Sequence, residues 1–141
     1  MINRMCRGLR TSVVGFMLAA ILGTPLATAA DAQTQRRIVF DNRCNAPIRL
    51  LVRHADGYRN WHIHGWYDLD PYEVTGLTSN GTRLTQSDNH TLYFYAESSD
   101  NRGYLWNGDH NEEWRGTTYG FRAARVVAEG NLLRTRITCD N

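Results

Sequence analysis

The sequence predicts a single antiparallel β-sandwich of about seven or eight strands, closed by one disulfide. Three observations carry the prediction. Beyond residue 30, short runs alternate apolar and polar residues, the period-two signature of strands with one buried face. Turn clusters separate those runs at the spacing of sandwich strands: Asp56-Gly57, Ser79-Asn80-Gly81, Ser87-Asp88-Asn89, Asn107-Gly108-Asp109 and Gly130-Asn131. Two cysteines, Cys44 and Cys139, stand near the two ends of the same stretch.

Residues 1–29 read as a secretory signal peptide. Arg4, Arg7 and Arg10 form a positive start, residues 13–22 are an unbroken apolar run, and Gly23, Thr24 and Pro25 end it. Small residues follow, with Ala27 and Ala29 placed for cleavage before Ala30, or Ala30 and Ala32 for cleavage before Gln33. The apolar run is too short to span a membrane. Removing this segment leaves one domain, 30–141, with no stable membrane span.

The charge balance changes with it. The chain has 16 basic residues, all arginine, against 14 acidic ones, a formal net charge of +2. Without residues 1–29 the counts are 13 basic and 14 acidic. A near-neutral domain lacks the basic face that phosphate contacts require, so no nucleic-acid partner is expected.

The elements follow in order. Ile38 and Phe40 mark the first strand. Pro47 opens the second, where its missing N–H does least harm, and Ile48, Leu50 and Val52 form its buried face. In the third, Trp61, Ile63, Gly65, Tyr67 and Leu69 share one face, which assigns His62, His64 and Trp66 to the other. Leu92, Phe94 and Ala96 alternate with Tyr93, Tyr95 and Glu97. Leu133, Thr135, Ile137 and Cys139 alternate with Arg134 and Arg136. Residues 121–129 carry a weak helical pattern, but Val126-Val127 and the Gly130-Asn131 turn favour a hairpin with 132–139. The stretches 100–103 and 109–113 read as solvated loops.

With Cys6 inside the leader, Cys44 and Cys139 form an even pair in an exported domain, which reads as a disulfide. Two cysteines without matched histidine spacing do not make a zinc site.

Several motifs occur in a fixed order: Asn42-Arg43-Cys44-Asn45 with Pro47-Ile48-Arg49-Leu50; Gly65-Trp66-Tyr67, continuing to Pro71-Tyr72-Glu73; Tyr93-Phe94-Tyr95-Ala96-Glu97; Trp106-Asn107-Gly108; and the terminal Cys139. This order resembles the bacterial exported family catalogued as domain of unknown function 1036, over nearly all of residues 30–141. The resemblance implies a small exported β-domain and no catalytic residues. Tyr72 departs from the family pattern, which has glycine there.

Three groups of residues are candidates for chemistry. His62 and His64, about 6–7 Å apart along one strand face, can share a Zn²⁺ or Cu²⁺ ion if a neighbouring strand adds ligands. His54, His90, His110, Asp68 and Glu97 are the candidates for that addition. The competing reading places both histidines on the solvated face. Trp66, Tyr93 and Tyr95 are the candidate binding residues, since large aromatics on an outer strand face offer area to sugars or apolar partners, unless they form a second core layer. Asp68 and Asp70 form a same-face carboxylate pair beside Pro71, where turn formation is the simpler role. No Gly-x-Ser-x-Gly elbow, phosphate loop or dinucleotide fingerprint occurs, so no cofactor is expected.

The expected function is therefore non-enzymatic: a periplasmic or secreted β-domain that binds an envelope component or a partner protein. The alternative is a metal-dependent hydrolase or oxidoreductase using His62 and His64.

Overall fold

Thirteen strands run through residues 34–57 and 60–139, the part of the chain that the computed structural model describes. The signal-peptide reading and Cys6 lie outside these residues. Seven strands have five or more residues: β1 (Gln35–Asn42), β2 (Ile48–Ala55), β3 (Trp61–Leu69), β8 (Tyr93–Ser98), β10 (His110–Trp114), β11 (Thr117–Ala123) and β13 (Leu132–Ile137). Short strands fill the intervals: β4 (Val74–Gly76), β5 (Thr78–Ser79), β6 (Thr82–Arg83), β7 (Thr85–Ser87), β9 (Leu105–Trp106) and β12 (Val126–Glu129).

They form two principal sheets. One has the order β12-β13-β1-β4, with β7 also paired to β1; the other has the order β10-β11-β8-β2-β3, with β9 on β8. The strands β5 and β6 make a small separate hairpin. Ile38 and Phe40 of β1 and Ile137 of β13 meet Ile48, Leu50 and Val52 of β2 and Phe94 and Ala96 of β8 in one buried core. Phe40 and Phe94 touch edge to face across it, ring centres 5.5 Å apart. Period-two burial on both sheets, closed on a shared core, is the all-β sandwich that the sequence predicts.

One pairing departs from the antiparallel expectation. The strands β1 and β13 run parallel, with Arg37 opposite Leu132 and Asn42 opposite Ile137. Parallel neighbours need a long connection, and here nearly the whole domain supplies it. The arrangement brings the far ends of both strands together. Cys44 and Cys139 follow those ends by two residues each and form the disulfide, Cα atoms 5.2 Å apart. The Trp106 indole N–H beside it donates to the Thr138 carbonyl at 3.0 Å, so the tryptophan of the Trp-x-Gly motif covers the disulfide end of the core.

The hairpin expected near the C-terminus is present in shorter form. The strands β12 and β13 pair through a turn at Gly130 (φ 59°), while residues 121–123 end β11 in the other sheet. The stretch 109–113, expected as a loop, holds most of β10, which pairs with β11. Its half-buried side is His110, Glu112 and Trp114, so polar side chains carry the alternation and hydrophobic periodicity does not register it.

The third strand contains the feature that organises the functional faces. Leu50 pairs with Tyr67 and Val52 with His64, so Leu51 alone faces the two residues Gly65 and Trp66. This bulge inverts the parity of β3. Tyr67 and Leu69 follow Leu50 and Ile48 toward the core, His62 and His64 follow His54 and Val52 onto that same side, and Trp61, Ile63 and Trp66 take the outer side. The expectation that Trp66 shares a face with His62 and His64 is corrected accordingly. The bulge requires glycine: at φ +151°, a Cβ on Gly65 would lie 2.5 Å from Leu51 Cδ2 and 2.9 Å from the Leu50 carbonyl oxygen.

Candidate functional site

Two sites emerge on opposite sides of the β10-β11-β8-β2-β3 sheet. The outer side carries an aromatic layer. Trp66 on β3 touches Tyr95 on β8 (ring centres 6.0 Å), Tyr119 on β11 (5.5 Å) and Trp114 on β10 (6.1 Å), each roughly edge to face, the geometry that ring quadrupoles favour. Further along, Tyr93 stacks on His110 at 4.5 Å and approaches Trp61 at 6.3 Å. All of these rings are half-buried. Beneath them Leu51 and Phe121 are fully buried although they belong to no part of the core between the sheets. The layer thus has a small apolar base of its own.

Arginines complete this face. The Arg49 guanidinium lies 4.6 Å from the Trp66 ring centre, Arg53 lies 4.0 Å from Trp61, and Arg115 lies 4.5 Å from Trp114. Carboxylates hold the first two in place: Arg49 pairs with Glu97 at 2.5 Å and Arg53 with Glu112 at 2.9 Å. The Tyr95 hydroxyl donates to Glu97 at 2.9 Å. Burial, reinforced by that hydrogen bond, pushes the Tyr95 phenol up to about 12. Of the candidate binding residues, Trp66 and Tyr95 are in contact, and Tyr93 lies on the same face beside Trp61 and His110. Trp61, Trp114 and Tyr119 also belong to the layer. The alternation of β3 hides the first, and the last two lie on strands whose apolar pattern is weak.

The inner side holds the histidines. His54 and His62 are opposite each other in the β2–β3 register. With His64 they form a triangle of rings, centres 5.7, 5.2 and 5.9 Å apart. The triangle, Asp56, Arg83, Ser79, Thr82, Leu84 and Thr85 line a cavity of about 320 Å³. His54 is buried, and its Nδ1–H donates to the Thr85 carbonyl at 2.7 Å. The neighbouring residues repeat this cross-link between strands: the Ala55 N–H donates to the side-chain oxygen of buried Gln86 at 2.8 Å. Burial lowers the His54 pKa against the opposing effect of the Thr85 bond, and burial followed by repulsion from His62 lowers that of His64. His62 Nε2 lies 3.4 Å from Asp56 Oδ2. Of the candidate added ligands, His54 joins His62 and His64. His110 and Glu97 belong to the aromatic layer, and Asp68 sits opposite Arg49 on the outer side. His90 packs against Trp61 at 5.4 Å.

Asp70 stands at a turn that Glu73 closes. The Asp70 N–H donates to Glu73 Oε2 at 2.7 Å and its carbonyl accepts from the Glu73 N–H at 3.1 Å, closing the turn. Tyr72 within it has φ 62°, the left-handed conformation that glycine adopts most readily.

Among the described residues no helix is long and apolar enough to cross a membrane. No protein-family model matches the chain, and neither a curated protein nor a solved structure does.

Proposed function

We propose that this chain is an exported, non-enzymatic β-domain that binds an envelope component or partner protein through the outer face of the β10-β11-β8-β2-β3 sheet. The observation that carries the reading is the composition of that face. Trp, Tyr and Arg are the side chains that contribute most per contact in protein recognition, and here Trp61, Trp66, Trp114, Tyr93, Tyr95, Tyr119, Arg49 and Arg53 adjoin one another on one side of one sheet. The Arg–Glu pairs and ring contacts fix their rotamers, which reduces the ordering cost of binding.

The disulfide suits an oxidising compartment, in line with a periplasmic or secreted location. The likeness to the exported family of unknown function belongs to this same proposal. One detail supports it: Tyr72 takes a glycine-like φ at the position where that family carries glycine.

The test compares wild-type protein with Trp66→Ala in pull-downs from envelope extract, after circular dichroism has shown that the variant folds. Loss of specific partners on substitution supports the reading. Undiminished retention of the same partners by the folded variant overturns it.

A further inference from the structure

The inner side of the same sheet carries a second site, independent of the aromatic face. We infer that His54, His62 and His64 form a binding site for a divalent transition-metal ion, Zn²⁺ or Cu²⁺, opening into the cavity beside Asp56.

The spacing of the rings is the first argument. Three imidazoles bound to one ion at about 2.0–2.1 Å have ring centres about 5.2 Å apart in tetrahedral geometry and about 5.5 Å apart in a flattened trigonal one. The three separations here are 5.2, 5.7 and 5.9 Å. As placed, the nitrogens do not meet at one point, and among the described residues no ready-made group of three or more His, Cys, Asp or Glu ligands is found. Ring separation is nevertheless the relevant measure. Rotation about the Cβ–Cγ bond spins an imidazole nearly about its own centre, so it re-aims the nitrogens and leaves the centres almost where they are. That torsion is soft in histidine.

The hydrogen bonding of His54 is the second argument. A carbonyl can only accept, so the Thr85 bond fixes the proton on Nδ1 and leaves a lone pair on Nε2. A metal-ligating histidine is usually oriented in this way, by a hydrogen bond from its other nitrogen to a carbonyl or carboxylate. The His54 side chain is 2 % exposed, and its Nε2 is buried without a hydrogen-bond partner. His62 Nε2 is also buried without one, beside the Asp56 carboxylate. Buried polar atoms are normally satisfied, and a cation would satisfy both nitrogens. In this arrangement His54 stays fixed while His62 and His64 turn toward its Nε2. Asp56, beside the same nitrogen of His62, takes a fourth position, and the cavity leaves room for a water or an exchangeable ligand.

The experiment uses untagged protein purified after expression of the full chain and stripped of metal with chelator. Zn²⁺ and Cu²⁺ are titrated separately by calorimetry, and Co²⁺ binding is read from its visible d–d absorption. One ion per chain is expected, with the strong absorption of four-coordinate cobalt. His62→Ala and His64→Ala should each weaken binding about 100-fold or more, while His90→Ala leaves it unchanged. Both informative positions are only partly buried, so their variants keep the fold even if His54→Ala does not. Absence of saturable binding overturns the inference, as does binding that neither His62→Ala nor His64→Ala weakens. Neither outcome bears on the aromatic face, which Trp66→Ala tests separately.

Discussion

Replacing both disulfide cysteines by alanine is expected to lower the melting temperature by roughly 15–30 °C. The Cys44–Cys139 bond closes a loop with a sequence separation of 95 residues. In the chain-entropy model a loop of that length restricts the unfolded state by about 4–5 kcal/mol. For a domain of this size, between the 100- and 150-residue classes, each kcal/mol corresponds to roughly 3–6 °C. Two structural features adjust the figure. The β1–β13 pair holds its register through six residue pairs, so the native ends stay together without the bond and the folded state persists at moderate temperature. Cys44 is almost completely buried, so Cys44→Ala adds up to about 1 kcal/mol for the small void that it leaves. Thermal unfolding of Cys44→Ala/Cys139→Ala, followed by circular dichroism, measures the sum. Wild type under strong reductant should fall to within a few degrees of the double variant, which itself should not respond to reductant. A loss below about 5 °C would refute the reasoning, because the staple would then restrict an unfolded chain that was already restricted.

Two further outcomes follow from the outer face. Gly65→Ala should cost about 2–4 kcal/mol in a denaturant titration, since a methyl group there meets Leu51 and the Leu50 carbonyl at a backbone angle that other residues rarely adopt; a change below 0.5 kcal/mol would mean that the bulge tolerates side chains. Tyr95 holds its proton more tightly in the folded state (about 12) than its ordinary 10.0. Its contribution to stability is therefore complete below pH 10 and is lost as the pH rises through 12. Tyr95→Phe should flatten that alkaline decline and remove the latest-titrating phenolate from the ultraviolet absorbance curve; an unchanged curve would contradict the assignment.

The sequence made the sandwich legible because alternating runs such as Leu92-Phe94-Ala96 report a buried face directly, and because Cys44 and Cys139 bracket the domain. It made the histidine site half legible. His62 and His64 stand out by their spacing, but the partner on the next strand depends on the β2–β3 register, and several histidines and acids satisfy the pattern equally well until that register puts His54 opposite His62. The parallel pairing of β1 with β13 was hidden for a related reason: no local signal connects strands at opposite ends of a chain. The β10 strand was hidden because its alternation is carried by His110 and Glu112, whose pairing with Tyr93 and Arg53 cannot be read before the sheet is assembled.

The bulge at Gly65-Trp66 reverses the faces that unbroken alternation predicts for β3, and it also separates the two sites. An unbroken third strand would put Trp66 on the same side as His62 and His64. A tryptophan would then compete for the cavity that the imidazoles line, and the aromatic layer would lose the ring that joins Tyr95, Tyr119 and Trp114. The extra residue sends His62 and His64 to the side where His54 waits on β2 and sends Trp66 to the side where the tyrosines lie. With the sheet between them, the proposed ion binding at one face and the proposed partner binding at the other depend on different side chains. A substitution that abolishes one should therefore leave the other intact. Gly65 bears on both, because the bulge it permits sets the parity on which each site depends.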